Sequence, residues 1–157
     1  MKALDITAKK IRLSKIITMV IACLLAFLFL YTAISKILDP AGTYQGLRNQ
    51  VFPPLLSEML FYTLPPIELI TAILLLRDST IKAGLLVSSL LMTLFSVYIL
   101  LVLTGIFGRI PCSCGGVLNS LGWWEHLWFN LVFLALAVIG LWVKMRETRC
   151  ERLDTRN

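Results

Sequence analysis

Four long apolar runs constrain the fold of this chain more than any other feature of its sequence. Crossing the hydrocarbon core of a bilayer as an α-helix takes about 20 predominantly apolar residues. Three of the runs reach that length with a few flanking residues, and the second reaches it once the proline-containing segment before it is included. We therefore predict an all-α integral membrane protein, a bundle of four transmembrane helices over residues 16–36, 57–76, 83–107 and 124–143.

The composition and the prolines of the second run agree with this fold class. Of the 157 residues, 58% are hydrophobic and 15% are charged, which leaves too few polar side chains to cover a soluble domain of this size. Pro65 and Pro66 fall inside the second predicted span, where we expect a kink because proline lacks a backbone donor. A membrane bundle tolerates such a kink when neighbouring groups satisfy the freed backbone carbonyls.

The basic residues are distributed unevenly around the predicted membrane domain, residues 16–143. The N-terminal arm (1–15), the connection between the second and third spans, and the tail (144–157) together hold 12 of the 15 Lys and Arg residues. With four spans these segments share one side, which the positive-inside rule identifies as the cytoplasm of a bacterial inner membrane. The net charge of +6 therefore reports membrane topology, and we expect a lipid bilayer rather than a nucleic acid as the partner of these side chains.

The segment between the third and fourth spans, residues 108–123, holds the most reactive side chains of the chain. It reads GRIPCSCGGVLNSLGW, with Cys112 and Cys114 one residue apart and two glycines after them. The predicted topology exposes this segment on the extracytoplasmic side, where thiols can be oxidised and stay oxidised. The two cysteines are therefore our candidates for catalytic residues.

The spacing of the two cysteines favours redox chemistry over a structural bridge. A disulfide between Cys112 and Cys114 would close a small, strained ring, and strained exposed disulfides belong to the labile, catalytic class. Such a bridge would also cross-link too little chain to gain much stability. Metal binding remains the alternative, because two thiolates and His126 would supply three ligands to copper or zinc. The cysteines are closer together than in the usual zinc motifs, and we predict no resident metal.

His126, the only histidine of the chain, opens the fourth predicted span. Trp123 and Asn130 share its helix face, and small residues further along that face predict close packing inside the bundle. A histidine here would either raise the thiolate fraction of a cysteine, with Asn130 orienting it, or simply cap the helix at the interface. A quinone in contact with Trp123, Trp124 and Asn130 is the one cofactor that the sequence leaves open.

Glu68 is an ionisable residue inside the second predicted span, about 13 Å along the helix axis from Arg77 at its cytoplasmic end. Burying a charge at such depth in a bilayer is costly and usually requires a partner. Lys36, which ends the first span on the extracytoplasmic side of the predicted topology, is the basic residue best placed to reach Glu68. We predict either a Lys36–Glu68 pair or a protonated Glu68, with a packing role and a proton-handling role both open.

Two parts of the chain together resemble a known group of membrane proteins. The stretch FLFLYTAISKILDPAGTYQGLRNQVFPPLLSEMLFYTLPPIELITAILLL resembles the first half of the DoxX-like proteins, with a Lys-x-x-Asp end to the first helix and a Leu-Pro-x-x-Glu-Leu motif in the second. The stretch PCSCGGVLNSLGWWEHLWFNLVFLALAVIGL is similar to the MauE branch of that group. The residues that carry the two likenesses are Lys36, Asp39, Leu64, Pro65, Glu68 and Leu69, and Cys112, Cys114, Gly115, Gly116, Trp124, His126 and Asn130.

The resemblance implies a function in thiol redox chemistry. MauE-like proteins are four-helix membrane proteins associated with maturation of a disulfide-rich periplasmic subunit of methylamine dehydrogenase. The implied activity is that of a thiol–disulfide oxidoreductase whose partner is a periplasmic thioredoxin-like or disulfide-rich protein. Two alternatives stay open: a non-enzymatic assembly factor or copper/zinc metallochaperone, and a quinone-linked oxidoreductase subunit of the kind found among DoxX relatives.

Overall fold

The computed structural model of the protein describes residues 2–51, 53–107 and 122–154, with side chains described over 12–51, 53–107 and 122–149. Over these residues the chain forms five α-helices and no strand. The helices are α1 (Lys2–Leu38), α2 (Pro40–Arg48), α3 (Pro54–Leu76), α4 (Ile81–Leu103) and α5 (Trp123–Asp154).

Four of these helices are long and apolar enough to cross a membrane, which confirms the predicted fold class. The qualifying segments are Arg12–Leu38, Pro54–Leu76, Ile81–Leu103 and Trp123–Arg149. The first and last helices are longer than the predicted spans. With 37 residues, α1 measures about 55 Å, whereas the hydrocarbon core is about 30 Å thick. The basic arm and tail therefore continue α1 and α5 as helix as far as the structure describes them.

The short helix α2 was not anticipated from the sequence. It begins after Asp39, whose side chain accepts a hydrogen bond from the Gly42 backbone N–H at 2.9 Å, and proline occupies its first position. Both signals for the start of a helix are present in the sequence. The predicted helices, however, were based on long apolar runs, and a nine-residue helix contains no such run. Two hydroxyls tie α2 to its neighbours: Thr43 Oγ1 donates to the Lys36 carbonyl at 3.5 Å, and Ser57 Oγ donates to the Leu47 carbonyl at 3.1 Å.

The helix α3 is continuous through its two internal prolines and starts three residues earlier than predicted, at Pro54. Proline is favourable at a helix start because the first N–H groups have no intrahelical partner. Inside the helix, Pro65 and Pro66 each remove one donor, so the carbonyls of Phe61 and Tyr62 lack their usual backbone partner.

The four spanning helices surround one apolar core. In this arrangement α1 packs against α3 and α5, and α4 packs against the same two helices, so α1 and α4 are diagonal partners. The largest fully buried apolar side chains come from α1, α3 and α4: Leu25, Phe29, Leu75, Leu85 and Val102.

Two glycines mark where helices approach each other most closely. A Cβ on Gly84 would lie 2.8 Å from the Leu75 backbone nitrogen and 2.9 Å from the Leu74 carbonyl carbon, so α4 meets the backbone of α3 there. A Cβ on Gly140 would lie 2.9 Å from Ile21 Cγ2 and 3.1 Å from Leu85 Cδ2. The close packing predicted for the small residues of α5 is therefore present.

The bundle has two distinct ends. The α2 end comprises α2 and the adjoining helix termini at Leu38, Pro54, Leu103 and Trp123. The opposite, basic end comprises the connection 77–80 and the flanking basic side chains of α1, α4 and α5, which include Arg12, Lys15, Lys82, Lys144, Arg146 and Arg149.

Candidate functional site

The two candidate cysteines belong to the connection between α4 and α5. Cys112 and Cys114 lie outside the described residues, but the helices on either side end and begin at Leu103 and Trp123. Both attachment points are at the α2 end of the bundle. The described part of the candidate site is therefore the first two turns of α5 and the helices that pack against them.

His126 lies in the first turn of α5 and is half-buried. Its backbone N–H donates to the Gly122 carbonyl at 3.0 Å, which is the first hydrogen bond of the helix. Asn130 follows one turn deeper on the same face and is only 5% exposed. This face of α5 therefore leads from the end of the bundle into its interior, as predicted.

The tryptophans of α5 point in different directions. Trp123 is half-buried on the His126 side of the helix, whereas Trp124 is 61% exposed. Trp128 is also exposed, as expected for indoles at a membrane interface. The structure thus brings Trp123, His126 and Asn130 together on one face of α5, whereas Trp124 is exposed on another face; the quinone contact of Trp123, Trp124 and Asn130 stays a prediction.

Two buried polar groups, one on α4 and one on α5, lack hydrogen-bond partners among the described residues. These are the Asn130 Nδ2 amide and the Ser96 hydroxyl. Gly140 of α5 and Leu85 of α4 meet where the two helices pack; Asn130 lies ten residues before Gly140 and Ser96 lies eleven after Leu85. Since α4 and α5 are antiparallel and each residue rises about 1.5 Å, the two polar groups lie at the same depth.

Ser96 differs from the other hydroxyl residues of α4. Ser88, Ser89 and Thr93 each donate to the carbonyl four residues earlier, at 2.7, 2.8 and 2.7 Å. The hydroxyls of Ser89 and Thr93 therefore donate within α4 rather than to another helix. Only the buried Ser96 hydroxyl faces the bundle without such a bond.

A buried ion pair joins α1 to α3. Lys36 Nζ donates to Glu68 Oε1 at 2.8 Å and to Oε2 at 3.0 Å, with side-chain exposures of 22% for the lysine and 3% for the glutamate. Helical side chains lean toward the N-terminus of their own helix. Because α1 and α3 are antiparallel, Lys36 leans back into the bundle and Glu68 leans toward the α2 end, and the two charges meet.

The described site residues therefore form two groups. Lys36 and Glu68 lie between α1 and α3, and their charges compensate each other. Trp123, His126 and Asn130 lie on α5, next to the cysteine connection. The first group can hold α1 and α3 in register. The second group provides an imidazole and an amide that could interact with a thiol or a ligand at the start of α5.

Two further polar contacts were missed from the sequence. Tyr98 of α4 donates to the Gln50 side-chain oxygen at 2.6 Å, which fastens the α2–α3 connection to α4. Glu147 of α5 is buried although it follows the predicted span, and it accepts from Lys144 at 2.9 Å and lies 4.0 Å from Lys15. The spacing of Lys144 and Glu147 on one helix face is a signal that the sequence does contain.

Comparison with known proteins gives one finding. The family model described as methylamine utilisation protein MauE matches residues 14–143, which include all four predicted spans and the cysteine connection. No curated protein and no solved structure matches the chain.

Proposed function

The chain belongs to the methylamine utilisation protein MauE family, and from that premise we propose that it exchanges electrons between Cys112 and Cys114 and a thioredoxin-like or disulfide-rich protein outside the cytoplasm. It is a multi-pass membrane protein of a methylamine-utilisation family. The observation that carries the proposal is the Cys-Ser-Cys sequence, placed inside the family match and in the connection that leaves the bundle at its less basic end.

The proposed exchange has two balanced steps. The thiolate of one cysteine attacks a sulfur of the partner's disulfide, so a disulfide forms between the proteins while the partner's other sulfur leaves as a thiolate. The second cysteine then attacks the mixed disulfide, forming the Cys112–Cys114 bond. Two electrons and two protons thereby pass to the partner, which is released as a dithiol. The same steps in reverse oxidise a reduced partner.

The start of α5 supports the proposal through His126. A neutral imidazole near a thiol raises the thiolate fraction, and only the thiolate is nucleophilic. His126 is half-buried in the first turn after the cysteine connection. Asn130 lies one turn deeper, its Nδ2 has no hydrogen-bond partner among the described residues, and we assign it to positioning rather than to chemistry.

The distribution of charge supports an extracytoplasmic cysteine connection. The α2 side of the predicted topology has only Lys36, Arg48 and Arg109 among the basic residues, and Lys36 is paired with Glu68. The other side holds the remaining 12 Lys and Arg residues. The positive-inside rule then assigns the basic end to the cytoplasm and the α2 end to an oxidising compartment.

Trapping of a mixed disulfide tests the proposal. Removing the resolving cysteine alone should accumulate a covalent adduct, since the attacking cysteine then has no route to release its partner. We expect either Cys112→Ser or Cys114→Ser, but not the double variant, to give an adduct with an extracytoplasmic protein that reductant removes. Cys23→Ser is the matched control, because Cys23 is a free thiol within α1.

The same experiment separates the alternatives. Full function of the double variant would overturn the proposal. A metallochaperone would instead bind one equivalent of copper or zinc, lose it in each single variant and form no adduct. For a quinone-linked subunit, we expect the reduced wild-type protein to pass two electrons and two protons from its Cys112/Cys114 dithiol to an added quinone, leaving a disulfide and a quinol, and the double variant to lack this reaction.

A further inference from the structure

A line of exposed side chains lies on the part of α5 that approaches the basic end of the bundle. Ile139, Trp142, Arg146 and Arg149 follow each other on α5 at intervals of three, four and three residues, so they form one line along the helix, here named the α5 stripe. All four side chains are exposed on the outside of the bundle. The stripe changes from apolar to aromatic to cationic as it approaches the end of the membrane span.

The two middle residues of the α5 stripe are in direct contact. The Arg146 guanidinium carbon lies 3.9 Å from the centroid of the Trp142 ring, and Trp142 is 50% exposed. An arginine stacked on an indole face keeps its donors in the guanidinium plane free for hydrogen bonding. Stacking also restricts the side chain, so less entropy is lost when an anion binds.

Glu147, the carboxylate next to the α5 stripe in the sequence, forms its ion pairs with lysines that are not part of the stripe. Glu147 accepts from Lys144 at 2.9 Å and has Lys15 at 4.0 Å on the neighbouring helix α1. Within the part of the chain whose side chains are described, neither Arg146 nor Arg149 lies within ion-pair distance of a carboxylate. The stripe therefore carries two cationic side chains without a carboxylate partner among these described residues.

We propose that the α5 stripe is a binding site for an anionic phospholipid of the leaflet at the basic end. From Ile139 to Arg146 the helix rises about 10 Å, the distance from acyl chains to headgroup phosphate, and tryptophan favours the boundary between them. One lipid can thus place its chain along Ile139 and its phosphodiester against Arg146 and Arg149. Arginine is suited to this role because its fork of donors matches phosphate oxygens.

Lipid binding to the purified full-length chain tests the proposal. The protein in zwitterionic micelles is titrated with phosphatidylglycerol, or with phosphatidylcholine of the same acyl chains, and bound lipid is counted by native mass spectrometry. We expect Arg146→Gln/Arg149→Gln to weaken phosphatidylglycerol binding about thirty-fold and to leave phosphatidylcholine binding unchanged. Trp142→Leu should weaken it about two- to fivefold, since the ring no longer supports the guanidinium.

A matched control removes the same charge from the same end. Arg77→Gln/Lys82→Gln takes two exposed cations from the α3–α4 connection and the start of α4, neither of which is part of α5. It should bind phosphatidylglycerol as the wild type does. An equal loss in this control would overturn the proposal in favour of diffuse surface charge. Equal wild-type affinity for the two lipids, or displacement of phosphatidylglycerol by an equal concentration of inorganic phosphate, would also overturn it.

The folded state of the variants is checked separately. The unfolding temperature in lipid-free micelles should not differ between the wild type and the two double variants, because all four residues are exposed. If the arginine double variant does not fold, the single Arg149→Gln variant tests the proposal in its place. We expect it to lose about fivefold in phosphatidylglycerol affinity.

Discussion

Lys36 of α1 donates to both carboxylate oxygens of Glu68 of α3, at 2.8 and 3.0 Å, in a pair whose glutamate is almost fully buried. The lysine also donates to the Thr32 carbonyl at 3.4 Å, and its own carbonyl accepts from Thr43 of α2. Breaking a buried pair from one side leaves an uncompensated charge, which costs more than the pair contributes. The pair is therefore sensitive to single substitutions.

Substitutions at Glu68 distinguish charge compensation from hydrogen bonding. Glu68→Leu should destabilise the protein by about 3 kcal/mol, the low end of the usual range because Lys36 keeps some exposure. Glu68→Gln should cost less, since the amide oxygen still accepts from Lys36. Unfolding of the purified variants in micelles gives both values. If Glu68→Gln abolishes function at normal protein levels, ionisation itself matters and a packing role is wrong.

The double variant Lys36→Met/Glu68→Leu provides the control for this pair. Replacing both partners with apolar groups leaves no unpaired charge, and the stability should return toward that of the wild type. If the double variant loses as much unfolding free energy as Lys36→Met and Glu68→Leu lose together, the two side chains are not energetically coupled.

Two glycine substitutions should differ although both sites are buried. Gly84→Ala should destabilise by about 2 kcal/mol, because the new methyl group meets backbone atoms of Leu74 and Leu75. Gly140→Ala should destabilise less, by about 1 kcal/mol, because its new methyl group meets side-chain rather than backbone atoms: Leu85 Cδ2, which can move, and the stiffer branch methyl Ile21 Cγ2. Unfolding temperatures of the two variants measure the difference. Equal losses would contradict the backbone contact at Gly84.

Removing an unsatisfied hydroxyl should stabilise the protein. We expect Ser96→Ala to raise the free energy of unfolding by about 1 kcal/mol, because its buried hydroxyl has no partner among the described residues. Ser88→Ala is the matched control, and it should not stabilise because that hydroxyl donates to the Gly84 carbonyl at 2.7 Å. Destabilisation by Ser96→Ala would mean that a bound water or ligand satisfies the hydroxyl.

Asn130 offers a test of positioning against packing. Asn130→Leu removes a buried amide donor without a described acceptor, so stability should be retained or rise by about 1 kcal/mol. If Asn130 positions His126, the same variant should trap less mixed disulfide in the Cys112→Ser or Cys114→Ser background. An unchanged adduct yield together with increased stability would leave Asn130 with a packing role only.

Thiol labelling tests the predicted topology. In a Cys23→Ser/Cys150→Ser background, a membrane-impermeant maleimide should label Cys112 and Cys114 in intact cells after reduction, because the positive-inside rule assigns their connection to the outside. A reporter that is active only outside the cytoplasm, fused after Asn157, should be silent. Labelling that appears only after lysis, or an active fusion, would reverse the orientation.

The fold class and the Lys36–Glu68 pair were predictable because the bilayer restricts both. A membrane accepts only spanning segments that satisfy their backbone internally, so four apolar runs of sufficient length already specify four helices. An ionisable residue such as Glu68 requires a partner within the membrane. Lys36, near the α2 end of the first span, is the basic residue whose side chain can reach it. The start signals of α2, Asp39 and Pro40, were also present in the sequence. The chemistry assigned to Cys112, Cys114 and His126 stays a prediction.

Only the tertiary structure decided which polar side chains are satisfied and where helix backbones touch. Ser89 and Ser96 look alike in the sequence, yet one donates within its helix and the other is buried without a described partner. Gly84 and Gly140 look alike too, but only Gly84 meets the backbone of its neighbour. Hydropathy and residue spacing place a side chain on a helix face. Whether that face meets backbone, a flexible side chain or lipid depends on how neighbouring helices pack, which is a property of the whole bundle.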